Sequence, residues 1–277
     1  MTADGPDLSA VTRHQRSAWA AGDFNRVALA VYEPSVALIA AADPRPGSRV
    51  LDVACGTGNA ALLAARRFCV VTGLDFVPEL LERARRRAQA EGSTIDLVEA
   101  DAQAMPFPDA SFDTVTSVFG VMFAPDQARA AAELLRVCRP CGTIALANWT
   151  PGSWADRLFQ TVGRFVPSPP GLAPPWRWGT PDGVAELLGG GATIRTERRV
   201  FHQIFRSPEH MIDIFGGNFG PLVHAFAAVG PEGTGELRDA LAATIAELDR
   251  ADDGTCRVES EYLVAIGSRL GDDGGGR

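Results

Sequence analysis

The feature that most constrains the fold is a short apolar strand that runs directly into a glycine turn and then into a helix. The segment reads V-L-D-V-A-C-G-T-G-N over residues 50–59. Such a turn lets backbone N–H groups face a ligand closely. On its own the turn also fits a nicotinamide dehydrogenase or a purely structural loop, so it restricts the fold more than the function.

Apolar runs and helical patterns alternate from about residue 49 to 149, as a parallel α/β sheet requires. We predict strands over residues 49–54, 70–74, 95–99, 112–118 and 143–148. Helices are predicted between them, over residues 58–68, 77–91 and 124–137. Further along the chain, strands are predicted over 193–205 and 261–268, and helices from Ser207 and over 236–250. Five prolines between Pro167 and Pro175 predict no regular element there.

Three aspartates narrow the choice of ligand. Asp52 lies inside the first predicted strand, where a carboxylate would repel a pyrophosphate and attract an ammonium or sulfonium group. Asp75 ends the second strand, where an acid can hold a ribose diol. Asp101 ends the third strand, where it could read an adenine edge together with the backbone of Ala102. Each could be a turn-capping residue by itself, but the three in order favour a cationic nucleoside.

Composition excludes several classes of enzyme. All 26 basic residues are arginine, so the chain has no lysine for a P-loop, a protein kinase or a pyridoxal Schiff base. The formal net charge of −8 argues against nucleic acid as a partner. The polar amino-terminal stretch is not a secretory signal, and no apolar run is long enough for a membrane span. A cytoplasmic protein with no membrane partner is expected.

The five cysteines are expected to be reduced thiols. Cys138 and Cys141 form a C-x-x-C pair, but a metal or redox site would need a second pair or a partner motif. The sequence holds neither, so we predict no metal and an ordinary turn at this pair.

Taken together, these motifs resemble class I S-adenosylmethionine-dependent methyltransferases, in particular the branch with quinone-biosynthesis and related small-molecule enzymes. The similarity covers roughly residues 46–151 and includes T-G-L-D-F at 72–76, E-A-D-A-Q-A-M-P-F at 99–107, S-F-D-T-V at 111–115 and E-L-L-R-V-C-R-P-C-G at 133–142. One position departs from the family, which usually has two glycines after the proline at 140, because Cys141 replaces the first of them.

The resemblance implies an α/β fold with a Rossmann-like, seven-stranded, mostly parallel sheet flanked by helices, its last strand antiparallel. It implies S-adenosyl-L-methionine as the cofactor. The methionine end would lie on the loop from residue 54 to 58, the ribose on Asp75 and the adenine between its covering side chains and Asp101. The candidate cofactor-binding residues are Asp52, Ala54, Gly56, Gly58, Asn59, Asp75, Phe76, Leu80, Asp101, Ala102 and Phe119.

We divide the chain by composition and by this similarity. Residues 1–45 are expected to form a helical cover, 46–150 the cofactor-binding core, 151–192 an acceptor-side insertion over the crevice, 193–270 the part that completes the sheet, and 271–277 a disordered tail. Trp19 or Phe24 is expected to fold over the cofactor. The tryptophans between Trp149 and Trp178 either form a wall of the acceptor pocket or pack on the core.

The expected reaction is methyl transfer to a small-molecule acceptor by direct in-line displacement. Such a reaction gains mainly from alignment and the exclusion of water, and no general base is assigned among the four histidines, the carboxylates and the two tyrosines. Two alternatives stay open. One is a non-methylating or regulatory protein on the same cofactor, and the other is a nicotinamide-dependent oxidoreductase, which Asp52 disfavours. The sequence does not assign the oligomeric state.

Overall fold

A single sheet of seven strands forms the centre of the protein in the computed structural model, which describes residues 6–167 and 171–271. The strands are β1 Arg49–Val53, β2 Val70–Asp75, β3 Asp96–Glu99, β4 Phe112–Val118, β5 Cys138–Trp149, β6 Ala192–Phe205 and β7 Cys256–Arg269. Residues 272–277, most of the predicted tail, lie outside the described part of the chain.

The helices connect and cover these strands. They are α1 Leu8–Ala20, α2 Phe24–Ala30, α3 Tyr32–Ala42, α4 Asn59–Ala65, α5 Pro78–Ala90, α6 Gln127–Val137, α7 Trp154–Gly163, α8 Pro181–Leu188, α9 Pro208–Asn218 and α10 Gly220–Leu248. Short 3₁₀ turns cover Val121–Phe123 and Pro175–Gly179. At α9 the helix predicted from Ser207 is present, and Ser207 caps it, since its Oγ accepts a hydrogen bond from the N–H of His210.

The strand order is β3-β2-β1-β4-β5-β7-β6. The first five strands pair in parallel, whereas β7 runs antiparallel to both β5 and β6. The expected fold class, a Rossmann-like, mostly parallel sheet with an antiparallel last strand, is therefore confirmed. The carboxyl ends of β1, β2, β3 and β4 meet at one edge, where such sheets bind ligands.

The last two strands are longer than the sequence pattern predicts. They pair along their whole length, from Ala192 with Arg269 to Phe205 with Cys256, while β5 accompanies β7 only over Tyr262–Ser268. The β6–β7 pair thus extends beyond the rest of the sheet, and its outer end packs on α7, α9 and α10 in a second apolar core.

Two helices in this half, α7 and α8, were not predicted, and α10 begins 16 residues before the predicted start at 236. α10 is broken at Gly230, which has a φ of 67° and precedes Pro231. A proline cannot donate to the preceding turn, which explains the break. Within the described residues no single helix has the length and apolar composition to cross a membrane. The pair α9 and α10, bent by 89° at the break between them, has that length and composition only when the two helices are taken together.

Three of the four tryptophans between Trp149 and Trp178 are withdrawn from solvent. Trp149, Trp154 and Trp178 are all buried, and Trp178 is completely enclosed. Because their apolar area is worth most when it is removed from water, the rings of Trp149 and Trp178 pack into the central core and that of Trp154 into the second. For these three rings the alternative of packing on the core fits, whereas Trp176 is only half-buried, and the acceptor-side insertion at 151–192 stays a prediction.

The turn at the start of β5 explains the departure from the family's glycine pair. Cys141 is exposed and has a φ of 59°, in the left-handed region. A side chain at Gly142 would meet Arg139 O and Cys138 Sγ at 2.8 Å. Gly142, the second glycine of the family's pair, is thus kept at the position where no side chain fits. Cys141 replaces the first glycine, at a position where a side chain fits but strains the backbone.

We expect Cys141→Gly to raise the free energy of unfolding by about 0.5–1 kcal/mol, because relief of the left-handed strain exceeds the added freedom of the unfolded chain. Urea unfolding measures the change. Cys141→Ala keeps the strain and is the matched control, so an equal gain in the alanine variant would contradict the explanation.

Candidate functional site

A deep cavity opens at the edge where the parallel strands end. It is lined by residues of α1, α2 and α3, of the glycine loop, and of the turns after β2, β3 and β4. Ten of the eleven predicted cofactor residues line it, namely Asp52, Ala54, Gly56, Asn59, Asp75, Phe76, Leu80, Asp101, Ala102 and Phe119. The sequence therefore selects residues that the fold brings together.

Gly58 is the exception and does not line the cavity. It has a φ of 85° and caps the start of α4. A side chain there would lie 3.3 Å from the Cβ of Ala84 on α5, on the side away from the cavity. The contact of Gly58 with the cofactor stays a prediction, and its position shows a second role for the glycine, in the turn itself and in the approach of α5.

Asp52 is almost completely buried at the base of the cavity. Its carboxylate accepts hydrogen bonds from the N–H of Ala61 at 2.9 Å and from the hydroxyl of Thr116 at 3.2 Å. Burial raises the pKa of Asp52 to about 7, against the lowering effect of these hydrogen bonds. A cationic group placed beside it would favour the ionised carboxylate.

Asp75 connects the second strand to the glycine loop. One carboxylate oxygen accepts from the N–H of Gly56 at 2.8 Å and the other from the N–H of Val77 at 2.9 Å. Burial raises the pKa of Asp75 to about 6. Two acceptor sites stay available on the carboxylate, enough for the two hydroxyls of a ribose.

Arg87 on α5 holds the glycine loop from outside the cavity. Its guanidinium donates to the carbonyl of Thr57 at 2.7 Å and to the side-chain oxygen of Asn59 at 2.8 Å. Asn59 in turn donates from Nδ2 to the carbonyl of Ala28 on α2 at 2.8 Å. Asn59 therefore joins the loop to the helical cover. Nothing in the sequence pattern distinguishes Arg87 from the neighbouring arginines Arg83, Arg85 and Arg86.

The helices α1 and α2 close the cavity, and both Trp19 and Phe24 line it. Their rings meet edge to face, with centroids 5.9 Å apart, and Trp19 also contacts Phe123 and Phe219. Polar contacts tie these helices to the core. Gln15 donates to the carbonyl of Phe123 at 3.0 Å, and Arg83 on α5 pairs with Asp23 at the start of α2.

Phe119 forms the wall opposite the cover. It follows β4 with a φ of 54°, and its ring stacks on Trp149 with centroids 3.8 Å apart. Trp149 thus contributes to the site from behind, by fixing the ring that lines it. Trp176 occupies a similar supporting position, in contact with Phe123 and Phe159.

These residues fit S-adenosylmethionine. Acceptors for a ribose and for cationic groups are present at Asp75 and Asp52, and the rings of Phe76 and Trp19 offer apolar cover. Ser35 on α3 lines the cavity, is buried, and its hydroxyl has no hydrogen-bond partner among the residues that the structure describes. A buried hydroxyl without a partner is costly, and a polar ligand would satisfy it.

Comparison with known proteins identifies the class. A family model described as a methyltransferase domain matches residues 51–146, which span the glycine loop and all three aspartates. The chain belongs to the class I S-adenosylmethionine-dependent methyltransferases and is an enzyme that uses S-adenosylmethionine as its cofactor.

Relatives extend over nearly the whole chain. A protein of Mycobacterium tuberculosis strain H37Rv is 42% identical over 257 residues, which are 90% of this chain and 90% of the relative. The demethylmenaquinone methyltransferase of Thermus thermophilus is 44% identical over 105 residues, 37% of this chain and 48% of that enzyme. A methyltransferase candidate of Bacillus halodurans has the same fold, with a TM-score of 0.62 at 22% identity over 86% of this chain and 99% of that one.

Groups that could do acid–base chemistry are few around the cavity. Among the described residues that line it, the ionisable side chains are Asp52, Cys55, Asp75 and Asp101. Burial raises the pKa of the Cys55 thiol well above its ordinary value, so the nucleophilic thiolate is disfavoured. The histidines lie outside the lining, and the described residues hold no group of three or more metal-ligating side chains.

Proposed function

We propose that the enzyme methylates a small, uncharged acceptor by direct in-line displacement within this cavity. The observation that carries the proposal is the combination of three carboxylates with an aromatic cover and no basic side chain among the described lining residues. Access beneath α1 and α2 suits a small molecule and not a polymer.

We assign cofactor binding to the residues that line the cavity. Asp75 takes the ribose hydroxyls, Phe76 and Leu80 cover the adenine, and Asp101 with the N–H of Ala102 recognises its edge. The glycine loop with Asp52 and Asn59 holds the methionine end, and Phe119 lies beside the sulfonium. The bound cofactor supplies an electrophilic methyl group. The position of these side chains in one lining supports the assignment.

Electrostatics supports an uncharged acceptor. The carboxylates of Asp52, Asp75 and Asp101 disfavour an anion in a poorly solvated cavity, and no arginine among the described lining residues offsets them. An acceptor that needs its proton removed before transfer would also find no histidine there. The protein's contribution is then alignment of the acceptor and exclusion of water by Trp19 and Phe24.

Turnover to S-adenosylhomocysteine with a panel of small anilines, pyridines and thioethers, which need no proton removed before transfer, tests the proposal. Each neutral compound is paired with an analogue that carries a carboxylate or phosphate. We expect product with a neutral compound and little with its charged partner. Methylation of protein or nucleic acid, or of the charged analogues in preference, would contradict it.

The cover gives a further prediction. We expect Trp19→Ala to lower methyl transfer by roughly 10- to 100-fold, because loss of the ring admits water and loosens alignment. Steady-state kinetics with the acceptor found in the panel measures it. Phe159→Ala is the matched control, since Phe159 contacts the same aromatic cluster without lining the cavity. Equal loss in the two variants would mean that the cluster acts only through stability.

A further inference from the structure

Four atoms of Gln103 make hydrogen bonds with neighbouring residues, but Gln103 has no assigned part in cofactor binding. It follows Asp101 in the turn after β3 and lines the cavity. Its Nε2 lies 2.9 and 3.0 Å from the two carboxylate oxygens of Asp101, and its backbone N–H donates to Asp101 Oδ1 at 2.8 Å. Its side-chain oxygen accepts from the N–H of Asp126 at 2.8 Å, and its carbonyl accepts from Arg129 Nε at 2.7 Å.

The contact with Asp126 fixes which way the amide of Gln103 faces. A backbone N–H can donate only to the amide oxygen, so the amide nitrogen must point toward Asp101. Turning the amide over would leave the N–H of Asp126 without this acceptor and place two oxygens against each other. The start of α6 therefore holds Gln103 in one orientation.

This orientation determines which acceptor site of Asp101 is left for a ligand. Oδ1 accepts from both the backbone N–H and the side-chain nitrogen of Gln103, whereas Oδ2 accepts from the side-chain nitrogen alone. A carboxylate oxygen has about two acceptor sites, so one site stays available on Oδ2.

We propose that Gln103 is a positioning residue that turns the carboxylate of Asp101 so that Oδ2 accepts a hydrogen bond from a 6-amino purine and rejects a 6-oxo purine. The inference rests on the proposed role of Asp101 in adenine recognition. A 6-oxo group presents an acceptor to an acceptor, and the fixed amide of Gln103 cannot turn to donate to it.

The test is the ratio of two dissociation constants measured by calorimetry, one for S-adenosylhomocysteine and one for S-inosylhomocysteine. We expect the wild-type protein to prefer the adenosyl compound by roughly 10- to 100-fold. In Gln103→Met, which keeps the length of the side chain but not its donor, this preference should fall at least about fivefold. If both compounds weaken by the same factor, Gln103 has only a structural role and the inference is overturned.

Two further variants separate the possible failures. Arg129→Met removes the contact with the Gln103 carbonyl but leaves the amide in place, so the ratio should not change. Gln103→Glu still offers an oxygen to the N–H of Asp126 and should also lose the preference for the adenosyl compound. This variant replaces Gln103→Met in the test if the methionine variant does not fold. Unchanged affinity of Asp101→Ala for the adenosyl compound would instead refute the proposed role of Asp101, and the inference with it.

Discussion

Replacing Asp75 with alanine is expected to weaken the binding of S-adenosylmethionine by about 1–3 kcal/mol, roughly 5- to 150-fold. The proposed loss comes from two sources. The ribose hydroxyls lose a charged acceptor, and the N–H groups of Gly56 and Val77 lose the carboxylate that holds the glycine loop in place. Titration calorimetry measures the affinity, and urea unfolding measures the accompanying loss of stability.

Asp113 provides the matched control for this variant. Like that of Asp75, its carboxylate accepts a backbone hydrogen bond, in this case from the N–H of Arg49 at 2.7 Å. Asp113 pairs in addition with Arg139, and it does not line the cavity. Asp113→Ala should lower stability and leave the affinity for the cofactor unchanged. Should Asp75→Ala bind the cofactor as tightly as wild type, Asp75 does not belong to the ribose site.

The stability of the ligand-free protein should fall as the pH rises from about 4.5 to 8. Burial raises the pKa of Asp52 to about 7 and that of Asp75 to about 6, from 3.8. Between the unfolded and folded pKa values, the folded state holds protons that the unfolded chain has released. The two acids therefore contribute fully to the free energy of unfolding at acid pH, and this contribution is lost as the pH rises through their folded-state pKa values. The expected loss is on the order of a few kcal/mol.

Cofactor affinity should change in the opposite direction. The ionised carboxylates that cost stability in the free protein attract the ammonium and sulfonium groups, so binding should tighten between pH 5.5 and 8. Urea unfolding and calorimetry across this range measure both trends. Asp52→Asn should flatten the stability profile, and an identical slope in that variant would show that the buried acid is not its source.

The sequence was sufficient to predict the sheet and most of the site because both depend on local patterns. Asp52, Asp75 and Asp101 each stand at or near the end of a parallel strand, and parallel strands end at one edge. The three aspartates therefore follow from spacing, whereas the other candidate cofactor residues follow from the family resemblance. Gly58 lies outside the cavity lining because a glycine turn has an inner and an outer side, which spacing does not distinguish.

Other residues could not be found in this way. Arg87 contacts residues 28 and 30 positions away, and the contact that orients the amide of Gln103 comes from a residue 23 positions away, so neither has a local signature. For the tryptophans from the end of β5 onward the sequence left two positions open, because composition shows that a segment is aromatic but not which side of it faces the core. Their burial depends on helices α7 and α8, whose short patterns were masked by neighbouring prolines and glycines.

The double attachment of Asn59 has a thermodynamic consequence. Its side chain accepts from Arg87 behind the glycine loop and donates to the carbonyl of Ala28 in the cover. A ligand that orders the loop thus favours the closed cover, and a ligand that presses on the cover favours the ordered loop. Coupling of this kind is reciprocal. An acceptor that packs against the cover therefore strengthens the binding of the cofactor. The gain in binding free energy equals the gain that the cofactor gives to the binding of the acceptor.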